Sequence, residues 1–114
     1  MMDYAKAAGW TEMQRAVESR YGLASNGLWI VSDTGRRVLR TILPRCVVRW
    51  LAVNSLGLDL ARLAEAFGED EQDFRAQVEI CQRRMDHLPE FKHEMLSLDG
   101  TLKARMEMER SFAV

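Results

Sequence analysis

The feature that constrains this chain most is the punctuated run LDLARLAEAFGEDEQDF, residues 58–74. Asp59 stands where a helix N-cap would accept a backbone N–H. Leu60, Leu63, Ala64 and Phe67 then recur at helical spacing, and Gly68 follows as a left-handed stop. A turn of only Gly68, Glu69 and Asp70 separates this helix from a second apolar stripe, Phe74, Val78, Cys81 and Met85, which predicts a helix from about Glu71 to Asp86. Two helices joined by a three- or four-residue, glycine-bearing turn describe a helix-turn-helix.

The flanking segments extend the all-α reading. TEMQRAVESRY, residues 11–21, places Met13, Ala16, Val17 and Tyr21 on one face, with Thr11 as N-cap and Gly22 as stop. Residues 23–35 are rich in Ser, Asn, Asp and Gly around the apolar patch Leu28 to Val31, which predicts a loop with at most one docked turn. Pro44 is costly inside a helix but tolerated in a first turn, so a helix is expected from Ile42 to Asn54, burying Val47, Val48, Leu51 and Ala52. A short helix is expected to begin at Pro89 and bury Phe91, Met95, Leu96 and Leu98. Residues 99–114 are weakly periodic and fit a helix no better than a disordered tail. Strand signals are nearly absent. The fold class expected is a compact all-α domain of 114 residues, with a helical core over 11–98 and a C-terminal tail over 99–114; at 47% apolar residues it can bury a core without staples.

Several function classes lose ground on residue type alone. Cys46 and Cys81 are thirty-five positions apart and lack a C-x-x-C or Cys/His ligand spacing, so buried thiols are expected, with neither a disulfide framework nor a zinc site. His87 and His93 are six apart, which puts them on different helical faces, and no metal is expected. No Ser/His/Asp ordering, paired-carboxylate motif or Walker-type G-x-x-x-x-G-K-[ST] occurs, so the chain reads as a non-enzyme with no nucleotide and no cofactor. The opening residues lack a signal-peptide pattern and no apolar run is long enough to span a bilayer, which predicts a cytoplasmic protein without membrane contact. Trp10, Trp29 and Trp50 read as core or interface anchors. Met13, Met85 and Met95 read as core filling, while Met106 and Met108 in the tail could form an adaptable contact surface.

The segments RCVVRWLAVNSLGLDLARLAEAFG (45–68) and RRMDHLPEF (83–91) resemble the C-terminal helix-turn-helix domain of the bacterial replication initiator DnaA, and more closely its small stand-alone relatives. The first is similar to that family's amphipathic helix, Leu-Gly-Leu-Ser turn and first helix ending in Phe-Gly; the second is similar to its Arg-Arg-Asp-x-Pro-x-Phe element. The resemblance covers about 80 of 114 residues, from about Val17 to Leu98. It implies a DnaA C-terminal or Trp-repressor-like fold and a regulatory, DNA-binding role in replication or transcription. Family members that bind DNA open the recognition helix with Asp-His-Thr-Thr-Val-x-His; here the matching residues are Asp70, Glu71, Gln72, Asp73, Phe74, Arg75 and Ala76. Asp70 and an apolar residue in the place of Val are kept, and the rest is replaced.

The net charge of −1 gives no global attraction to polyanions, so local placement decides. Arg36, Arg37, Arg40, Arg45 and Arg49 put five positive charges in fourteen residues with no acid among them. Four of them, Arg36, Arg37, Arg40 and Arg45, are candidate phosphate contacts, although Arg45 and Arg49 also fit a solvated helix face. Glu71, Gln72, Asp73 and Arg75 are the candidate groove readers: a carboxylate accepts from cytosine N4 and Gln pairs with adenine. Carboxylates repel phosphates, however, and Glu69, Asp70, Glu71 and Asp73 fit equally well as first-turn acids complementing the helix dipole. Three readings stay open for the acidic tip: helix stabilisation, base discrimination on duplex DNA, or docking of a protein partner, for which the C-terminal tail is the other candidate surface. The acids and the basic loop could also pair with one another.

Overall fold

The computed structural model describes residues 6–24, 28 and 42–112. Among them are five helices and no strand: α1 (Trp10–Arg20), α2 (Ile42–Asn54), α3 (Leu60–Phe67), α4 (Glu71–His87) and α5 (Pro89–Phe112). Each boundary has a local cause. α1 starts at Trp10, one residue before the expected cap Thr11, because Gly9 supplies a positive φ of 82° that an L side chain rarely adopts. A Cβ on Gly9 would also lie 2.8 Å from Leu56 Cδ2, so a larger residue would have to displace the tip of that side chain as well as adopt the positive φ. Thr11 is left exposed on the helix.

The corner between α3 and α4 is built from the punctuation in the sequence. Asp59 caps α3, its side chain accepting from the Arg62 N–H at 3.0 Å. At the far end Gly68 (φ 69°) donates to Glu65 O at 3.0 Å and Glu69 N–H donates to Ala64 O at 2.9 Å, the paired bonds of a Schellman motif. Asp70 then caps α4, its carboxylate accepting from Gln72 N–H at 2.8 Å and, more weakly, from Asp73 N–H at 3.4 Å. α4 ends at His87 because Leu88 precedes Pro89 and is held extended; Pro89, with no N–H to lose, opens α5.

α2 is the centre of the molecule and packs most extensively on α4, then on α1. Every residue from Pro44 to Ala52 is buried, and Val47, Val48 and Leu51 are fully enclosed with Met13, Val17, Leu28, Leu63 and Phe74. The expected core of α4, Phe74, Cys81 and Met85, is buried, with Val78 packed against it. α5 departs from the short helix expected. It runs 24 residues, through the tail, because Leu98, Leu102 and Met106 continue the stripe of Phe91 and Met95 at helical spacing; Leu102 is buried and Met106 packs on the core. Leu96, expected in the core, is 50% exposed because it falls outside that stripe. No helix among the described residues is long and apolar enough to cross a membrane.

Candidate functional site

The residues proposed from sequence to read a groove all sit on the first two turns of α4, and they are brought together on its surface. Phe74 is 0% exposed and anchors this end of the helix in the core, against Phe67 at a ring-centroid distance of 5.5 Å. With that face fixed, Glu71, Gln72, Asp73, Arg75 and Ala76 are all exposed. The helical period does this: 74 points inward, so its neighbours at 71–73 and 75–76 fan outward.

The acids of the stretch FGEDEQDFRAQ turn out to have separate tasks. Glu69 is tied inward: one carboxylate oxygen pairs with Arg49, and the other accepts from Gln77 Nε2 at 3.1 Å. Asp70 is the N-cap. Glu71 pairs with Arg75 across one turn at 3.3 Å, both side chains more than half exposed. Two of the four carboxylates are therefore parts of the corner, and a third is partly neutralised by its neighbour. What α4 offers outward is a polar turn of Glu71, Gln72, Asp73 and Arg75 beside the exposed cap Asp70, less acidic than the sequence suggests because Glu69 is paired with Arg49.

The arginines are redistributed in the same way. Arg45, expected as a phosphate contact or on a solvated face, is only 5% exposed, and its Nε donates to the backbone oxygen of Leu28. Arg49 is 2% exposed; it donates to Arg45 O at 3.0 Å, pairs with Glu69, and lies 5.3 Å and 5.5 Å from the ring centroids of Phe67 and Phe74. Both side chains are taken off the surface on the side of α2 expected to face water, Arg45 by its bond to Leu28 and Arg49 by the α3–α4 corner. Arg36, Arg37 and Arg40 lie outside the described residues, as does Trp29. One sequence signal did point to the buried arginines. α2 carries Leu43, Pro44, Cys46, Val47, Val48, Trp50, Leu51, Ala52 and Val53, which leaves no polar face, and a helix apolar on all sides is a buried one.

Elsewhere the surface offers open grooves. One is lined by Ser55, Gly100, Lys103 and Glu107, where Asp99 accepts from Ser55 Oγ at 2.6 Å and pairs with Lys103 at 3.2 Å. Another is lined by Arg84, Leu88, Phe91 and Glu94, with Arg84 stacked 5.2 Å from the Phe91 ring and Glu94 paired with Arg20. Neither is lined by the first turns of α4. Among the described residues no group of three or more His, Cys, Asp or Glu is arranged to hold a metal ion. Cys46 and Cys81 are buried free thiols. Burial, then the neighbouring Cys46 thiol, pushes the Cys81 thiol up to about 12, with Arg84 opposing weakly. Burial likewise raises Tyr21 above its ordinary value. Comparison with models of known protein families, with curated proteins and with solved structures finds no match to this chain.

Proposed function

We propose that this protein is a helix-turn-helix module, resembling the DnaA C-terminal domain, that binds duplex DNA in a regulatory role in replication or transcription. The observation that carries this reading is the α3–α4 corner. Both helices are capped by aspartate, the turn between them is three residues long, and the first turn of the second helix is exposed around the single anchor Phe74. Gln72 and Arg75 supply the hydrogen-bonding groups that read adenine and guanine edges, and Glu71 and Asp73 can accept from cytosine N4. Because Glu69 is paired with Arg49 and Glu71 with Arg75, the repulsion between α4 and phosphates is smaller than four uncompensated acids would give. Phosphate attraction then falls to Arg36, Arg37 and Arg40.

Fluorescence anisotropy on mixed-sequence duplexes, titrated across salt, tests this directly. Three phosphate contacts at about 0.9 each give a slope of log K against log salt on the order of −2.7, and changing Arg36 and Arg37 to Ala flattens it by about 1.8. Absence of salt-dependent binding would remove the reading.

A second reading, a protein-interaction module that keeps the scaffold without DNA binding, is favoured by one observation. The described arginines nearest the corner, Arg49 and Arg75, are paired with Glu69 and Glu71, and Arg45 is buried. On that reading a pull-down recovers a partner through the tip, and reversing Glu71 and Asp73 to Lys abolishes it while duplexes bind neither form.

A further inference from the structure

We infer that Arg49 is a positioning residue, a hub inside the fold that sets the direction in which the exposed turn of α4 points. Its guanidinium meets three elements at once. On α2 it donates from Nη1 to Arg45 O at 3.0 Å; at the corner it pairs through Nη2 with Glu69; and its plane lies over Phe67, the last residue of α3, and Phe74, in the first turn of α4. Glu69 continues the chain of contacts by accepting from Gln77 Nε2 on α4 with its second oxygen. Glu69 immediately precedes Asp70, whose carboxylate starts α4. A residue held from α2 on one side and from α4 on the other thus fixes where the second helix begins and how it leaves the corner.

Stability does not account for this arrangement. A guanidinium taken out of water recovers its lost hydration only when every donor is matched, and Arg49 Nε is buried with no hydrogen-bond partner. Apolar side chains of the same volume fill such a space equally well or better, and two aromatic rings already line it. What an apolar filler does not supply is direction. The planar fork of arginine engages a carbonyl and a carboxylate in fixed geometry, whereas a methionine in its place packs in several ways. Buried polar groups select one arrangement among several in some folds, and an arrangement of α4 relative to α2 is what a groove-reading helix needs held.

The consequence for binding rests on the DNA reading proposed above; the consequence for the corner does not. Arg49→Met is therefore measured together with Glu69→Gln, so that no carboxylate is left buried without its cation, and in two ways. By native-state amide hydrogen exchange, Glu69 to Phe74 exchange about tenfold faster relative to the core amides of α1 and α2, while the global melting temperature changes little. By anisotropy, the salt slope is unchanged, since it belongs to Arg36, Arg37 and Arg40, and discrimination between duplex sequences falls about tenfold. A purely structural role lowers the melting temperature and leaves sequence discrimination alone. Arg49→Lys keeps the charge but loses the fork, and falls between the double variant and the parent protein. Should the double variant fail to fold, Glu69→Gln alone preserves size and decides the matter by the same exchange measurement. Corner amides no faster than in the parent, in whichever variant folds, overturn the proposal. If no duplex binds the parent protein, the DNA reading falls and the exchange result still stands or fails alone.

Discussion

α2 and the opening turns of α4 are both short charged helical stretches, and the fold treats them in opposite ways. In α2 nine consecutive residues are buried, Arg45 and Arg49 among them; in α4 the residues from Glu71 to Ala76 are exposed except for Phe74. The two regions are joined by the pair between Arg49 and Glu69, so the charge of one is used to shape the other. Counting charges along the chain therefore misjudges the surface twice. It credits α2 with cations that never reach solvent, and it credits the tip with acids that the corner consumes.

The sharpest way to break this contrast is to delete volume on each side. Leu51→Ala on α2, where the side chain is fully enclosed, lowers stability by about 2–5 kcal/mol, while Gln72→Ala on α4 stays within about 0.5 kcal/mol; urea unfolding of the two variants measures both. Equal losses would mean that the Gln72 side chain is packed, not exposed.

A pH series probes the buried side next. The Cys81 thiol stands at about 12 in the fold, above its value of roughly 8.5 in an unfolded chain, and Tyr21 is raised as well. The raised groups contribute stability that is fully present below their unfolded values and is lost as pH climbs toward the folded ones, since only the unfolded chain releases its proton in that window. Urea midpoints should fall from about pH 9 upward, and Cys81→Ala should flatten that fall, leaving the part due to Tyr21. A midpoint independent of pH up to 11 would place Cys81 outside the packed interior.

Two smaller effects sharpen the account of the tip. Asp70→Ala removes the N-cap of α4 and costs about 1 kcal/mol, accompanied by faster exchange of the Gln72 and Asp73 amides. Arg75→Ala breaks an exposed pair one turn apart and costs only about 0.3 kcal/mol. A loss of several kcal/mol from Arg75→Ala would show that this end of α4 is covered.

The elements that could be read from sequence are those whose signals are local. Pro44 and the apolar run after it set α2 at Ile42–Asn54, and Asp59, Gly68 and Pro89 mark ends that depend on a single backbone preference. Glu71, Gln72, Asp73 and Arg75 were legible as one exposed turn because Phe74 fixes the helical phase. What was not legible depends on elements distant in sequence. Gly9, not Thr11, starts α1 through its positive φ, and the neighbours a Cβ there would meet, Leu56 and Met106, are far away in sequence. The apolar run of α2 pointed to the burial of Arg45 and Arg49, but their partners, the Leu28 backbone oxygen and Glu69, lie too far off in sequence to be read. The length of α5 rests on Leu98, Leu102 and Met106, a stripe diluted by the charged residues between them and held by docking rather than by propensity.

The most direct test of the central claim, that the exposed opening turn of α4 is the surface that meets duplex DNA, is an amide chemical-shift titration with a mixed-sequence duplex at low salt. The account predicts salt-reversible shifts concentrated on Gln72 to Ala76, with the core amides of α2 unmoved. Binding that leaves those amides unperturbed, or no shifts at all, would contradict it.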